Sequence, residues 1–65
     1  MIKVTRLNGR RFCINPHQIE TIEATPDTVI TLMSGQRYVV RESVDKVIEL
    51  IVEYRRRLGM IAQEG

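Results

Sequence analysis

The sequence predicts a β-rich α+β fold, five short antiparallel strands followed by one C-terminal amphipathic helix, and three observations carry that reading. Asn8-Gly9 and Ser34-Gly35 are tight-turn pairs set between runs that alternate apolar and polar side chains. Pro16 and Pro26 interrupt the stretch between them where the chain has to turn. From Ser43 onward the apolar spacing changes to the i, i+3, i+4, i+7 pattern of a buried helical stripe, through Val44, Val47, Ile48, Ile51, Tyr54 and Leu58.

The first hairpin is expected to join a strand over Ile2 to Leu7 to a second over Arg10 to Ile14. Asn8-Gly9 would supply the positive φ angles of a type I′ turn. Ile2, Val4, Phe12 and Ile14 alternate with Lys3, Thr5, Arg11 and Asn15, so one face is buried and the other wet. Asn15 and Pro16 then break the ladder, because Pro16 has no N–H and Asn15 closes an Asx-type turn. A third strand is expected from Ile19 to Thr25 with Ile22 and Ala24 inward, followed by a type I turn at Thr25-Pro26-Asp27-Thr28. Val29 to Met33 and Gln36 to Arg41 make the fourth and fifth strands, joined through Ser34-Gly35.

The helix is placed at about residues 43–58. Ser43 is its N-cap, Asp45 suits its positive end, Arg55, Arg56 and Arg57 its negative end, and Gly59 the C′ position. Met60 to Gly65 either continue for one more turn or fray. Leu50 and Val52 fall outside the main stripe and widen the apolar arc to roughly 200°, against a little over 100° for an ordinary surface helix. One domain of 65 residues can cover one such face with its own sheet. The other face therefore predicts a homo-oligomer or a protein partner. In the fourth and fifth strands Val29, Met33 and Val39 point away from Ile30, Leu32, Tyr38 and Val40, a second apolar surface in want of a cover. The expected oligomer or partner surface is thus Val29, Met33, Val39, Leu50, Val52, Tyr54 and Leu58.

Composition narrows the function classes. The net charge is +2 from ten Lys and Arg against eight Asp and Glu, too small by itself to argue for nucleic acid. The single cysteine, Cys13, cannot close an internal disulfide, which fits a reducing cytoplasm. No basic segment followed by an apolar one opens the chain and no apolar run approaches a membrane span, so a soluble cytoplasmic protein is expected.

Nothing in the chain assembles a catalytic constellation. His17 lies in a Pro-containing turn with no adjacent Ser, Cys or carboxylate to act on. His17 and Cys13 fall short of the four ligands of a structural zinc site. Glu20 and Glu23 point to opposite faces of a strand, and the isolated glycines form neither a P-loop nor a dinucleotide fingerprint. No enzyme, cofactor or metal is expected. A basic surface of Arg6, Arg10, Arg11, Arg37 and Arg41 on the hairpins, with Arg55, Arg56 and Arg57 on the helix, could track phosphates. Strand-edge arginines that blunt aggregation, and helix-end charges paired with Glu53, explain the same residues without a ligand.

The ordered segments Met1-Ile-Lys-Val-Thr-Arg-Leu-Asn-Gly9, Ile14-Asn-Pro16, Ile19-Glu-Thr-Ile-Glu23, Thr25-Pro-Asp-Thr-Val-Ile-Thr-Leu32, Gly35, Tyr38-Val-Val-Arg-Glu-Ser43, Val47-Ile48 and Tyr54-Arg55 resemble the FlbD family of small flagellar proteins, also called SwrD. The resemblance spans about residues 1–58. It implies a cytoplasmic, non-enzymatic accessory protein that supports swarming and swimming by sustaining the power of the flagellar motor, with a motor component as partner. A looser likeness to LytTR-type DNA-binding domains and to the RNA-binding regulator CsrA implies the alternative, a nucleic-acid-binding regulator of flagellar gene expression.

Overall fold

The computed structural model describes the backbone of residues 1–64 and the side chains of residues 1–59. Strands β1 (Ile2–Thr5) and β2 (Arg11–Ile14) form an antiparallel hairpin in which Ile2 faces Ile14 and Val4 faces Phe12. A 3-10 turn over Pro16–Gln18 leads to β3 (Ile19–Ala24), β4 (Thr28–Leu32) and β5 (Arg37–Val40), an antiparallel sheet in that order. Helix α1 (Val44–Glu64) ends the described chain. The expected α+β order of five strands and a C-terminal helix is the observed one.

The two sheets meet along the ends of β1 and β5. Arg6 bridges Val40, and the Arg41 N–H donates to the Thr5 carbonyl at 2.8 Å. That seam folds the hairpin onto the larger sheet, and α1 packs against β1 and β3 to close the interior. Ile2, Val4, Ile14, Ile30, Val40 and Val47 form the buried core, so each layer contributes. Alternation along the strands explains the selection, since successive side chains point to opposite faces. Ile22 joins the margin of that core, whereas Ala24, expected inward, is exposed next to the turn.

Both glycine turns use one device, which differs from the expected type I′ turn. The Gly9 N–H donates to the Arg6 carbonyl at 2.9 Å and the Arg6 N–H to the Arg10 carbonyl at 2.7 Å. Gly35 with Leu32, and Leu32 with Gln36, repeat the pattern at 2.9 and 2.8 Å. In each case the turn starts one residue earlier than read, and glycine alone takes the positive φ, 91° at Gly9 and 92° at Gly35. This is the longer hairpin connection in which a left-handed glycine follows a turn. Asn8 and Ser34 accept from the N–H two residues on, at 2.9 and 3.4 Å. Met33 consequently lies in the turn rather than in β4. The Thr25–Pro26 peptide is cis and the Thr25 N–H donates to the Asp27 carbonyl at 3.0 Å, which replaces the expected type I turn.

The start of α1 follows the sequence reading, and its end takes one of the two courses that reading left open. Ser43 caps it, its hydroxyl accepting from the Lys46 N–H at 3.1 Å and its carbonyl from the Val47 N–H at 2.9 Å. The sequence places the helix at about residues 43–58, with Met60 to Gly65 either continuing for one more turn or fraying. It runs on to Glu64, so Gly59 is a helical residue rather than the expected C′ position. A helical glycine costs only about 1 kcal/mol relative to alanine, less than is needed to end a helix whose next residues remain compatible with it. Gly65 lies outside the described residues.

The roll of α1 also differs from expectation. Leu50, placed outside the buried stripe, is half-buried and packs on the core with Ile51 and Tyr54, whereas Ile48 is 47% exposed. An apolar arc of roughly 200° can seat either margin against the sheet. Contact with β1 and β3 seats the Leu50 margin and leaves Ile48 outside.

Candidate interaction surfaces

The seven residues read as an assembly surface divide into three groups. Val52 (51% exposed) lies on the outer flank of α1, and Leu58 (40%) lies one turn beyond Tyr54 on the same side of the helix. At about 1.5 Å per residue a helix of 21 residues is roughly 31 Å long, a large part of the 40 Å length of the molecule. Val29 and Val39 are register partners on the outward face of the β4–β5 pair, the first half-buried and the second 39% exposed, while Met33 (67%) caps the adjoining turn. Leu50 and Tyr54 are half-buried against the core instead. Tyr54 also meets the edge of the His17 ring at 5.7 Å, which ties the 3-10 turn to α1.

The arginines of the hairpins are not equivalent either. The Arg6 guanidinium stacks 4.4 Å from the Phe12 ring centre and 5.1 Å from that of Tyr38, and the two rings lie 5.1 Å apart. Arg6 thus roofs the margin of the core by cation–π contact. Arg41 donates from Nε and Nη2 to the Leu7 carbonyl at 3.1 and 2.7 Å, holding the tip of the first hairpin. Arg10, Arg11 and Arg37 are exposed, as are Arg55, Arg56 and Arg57 on α1. Glu53 meets Arg56 at 3.5 Å and Arg57 at 3.6 Å, both in solvent.

Next to Arg41, the Glu42 carboxylate accepts from the Thr5 N–H and the Thr5 hydroxyl, both at 2.8 Å. Burial acts to raise the pKa of Glu42, but the Thr5 N–H and hydroxyl, its own N–H and the Arg11 charge outweigh it and hold the carboxyl below the usual glutamate value. Glu42 and Arg41 together clasp β1 to the end of β5. This contact was invisible in the sequence because its partners are 37 positions apart.

A shallow groove of about 170 Å³ runs between β1 and α1, lined by Met1, Ile2, Lys3, Leu50, Glu53, Tyr54 and Arg57. Its walls mix apolar groups with Lys3 and the Glu53–Arg57 ion pair. Cys13 is exposed on β2, and among the described residues no group of three His, Cys, Asp or Glu side chains is placed to hold a metal ion. Among them, too, no helix is long and apolar enough to cross a membrane.

These features define a small α+β domain whose helix flank and β4–β5 hairpin present apolar side chains to solvent. Over residues 1–59 the chain matches the model of FlbD, flagellar and swarming motility proteins, and it belongs to that family. No curated protein and no solved structure matches the chain.

Proposed function

We propose that this protein supports flagellar motility without catalysing a reaction, as a cytoplasmic accessory that acts by contact with other proteins and sustains motor power. The family match over residues 1–59 carries the reading. The exposed apolar side chains Met33, Val39, Val52 and Leu58 agree with a protein that works through its surfaces. The test is a deletion strain scored for swimming speed and swarming while filaments are counted. Normal filament numbers with weak motion support the proposal. Loss of filaments overturns it in favour of a regulator of flagellar gene expression.

That second reading, a nucleic-acid-binding regulator, draws on the exposed Arg10 and Arg11 at the tip of the first hairpin. Arg6 and Arg41, engaged with aromatic rings and with the Leu7 carbonyl, are less available to phosphates. Binding to duplex DNA or RNA that collapses between about 50 and 200 mM salt would favour it.

A further inference from the structure

We infer that two copies of this chain pair through the outer flank of α1, antiparallel, about a two-fold axis at the level of Leu50. The flank consists of Asp45, Ile48, Val52 and Arg55, spaced three, four and three apart, which is the seam repeat of helices that pack side by side. All four side chains are exposed, Ile48 by 47% and Val52 by 51%, because the core takes the opposite margin of the helix through Val47, Leu50 and Tyr54. The strip is apolar in the middle, acidic at its N-terminal end and basic at its C-terminal end.

That order selects the partner. Reversed, the strip complements itself: Ile48 of one copy lies against Val52 of the other, and Asp45 against Arg55, at both ends of the contact. A parallel pair would instead set Asp45 against Asp45 and Arg55 against Arg55. Among the described residues Lys46 is paired with Glu49, and Arg56 and Arg57 with Glu53, while Asp45 and Arg55 enter none of these ion pairs. Asp45 also suits the helix N-terminus, but Arg55 sits too far from the last turn for the helix dipole to account for it. From Asp45 to Arg55 the seam is about 15 Å long, so the contact is small and the pair forms weakly and reversibly, at micromolar concentrations or above, rather than permanently.

The test is sedimentation equilibrium of the full chain from about 5 to 500 µM at low salt, a range that brackets a micromolar dimer. A monomer–dimer equilibrium is expected. Asp45→Arg and Arg55→Asp should each weaken it by about tenfold, since two contacts per dimer turn repulsive, and the chain carrying both changes should return to within about threefold of the original. Ile48→Ser, at an exposed position that leaves the core untouched, should weaken it by a similar factor and guards against misfolding of a charge variant. A monomer throughout overturns the inference, as does a dimer indifferent to Ile48→Ser or a double charge variant no better than the single ones. This readout is made on purified protein, so it stands or falls independently of the motility result.

Discussion

The two margins of α1 both carry branched apolar side chains, in opposite situations. On one, Val47 is fully buried and Leu50, Ile51 and Tyr54 pack on the core; on the other, Ile48 and Val52 stand about half exposed between Asp45 and Arg55. Hydrophobicity alone does not assign a side chain to the fold. The margin that meets β1 and β3 holds this molecule together, and the margin left exposed among the described residues is the one inferred to meet a second copy.

Substitutions should separate the two margins by their cost. The largest effect belongs to the core: Ile30→Ala removes a fully buried side chain and should lower stability by about 3 kcal/mol, and Val47→Ala, losing fewer carbons, by about 2 kcal/mol, both read by urea unfolding. Next comes the clasp that sets the sheet on which α1 rests. Glu42→Gln leaves the Thr5 groups with a weaker, uncharged acceptor and should cost about 1.5 kcal/mol at neutral pH.

Because the folded pKa of Glu42 is depressed, its contribution is full above the ordinary value of 4.5 and is lost as pH falls through the lower, folded value. Unfolding curves of the original chain and Glu42→Gln should therefore differ at neutral pH and converge in acid. Ser43→Ala, which removes the acceptor for the Lys46 N–H, should cost about 1 kcal/mol. Smallest is Ile48→Ser on the outer margin, where intrinsic stability measured in dilute solution should change by no more than about 0.5 kcal/mol.

Much of this architecture was legible in the sequence, and the misses share a physical cause. Strand alternation, the breaks at Pro16 and Pro26 and the Ser43 cap are local signals, and local signals placed the five strands and the helix. Asn8-Gly9 marked a hairpin correctly, but the dipeptide fits a glycine that follows the turn as well as one inside it. Gly59 carried the usual sign of a helix end, yet its neighbours permit helix and it continues.

The candidate surface was legible only in part for a similar reason. Periodicity drew a wide apolar arc on α1 but could not say which margin the sheet would take, so Leu50 was assigned outward and Ile48 inward, the reverse of their placement. The Glu42–Thr5 clasp and the Arg6 stack depend on the seam between β1 and β5. That contact is long-range, and no residue announces it.

The account rests on a division of labour between the margins of one helix, and the most direct measurement is the association of Ile48→Glu followed by sedimentation, with its helical circular dichroism recorded alongside. A folded variant that stays monomeric at concentrations where the original chain dimerises is the predicted result. A folded variant that associates as the original does would contradict it and return the outer margin of α1 to ordinary surface.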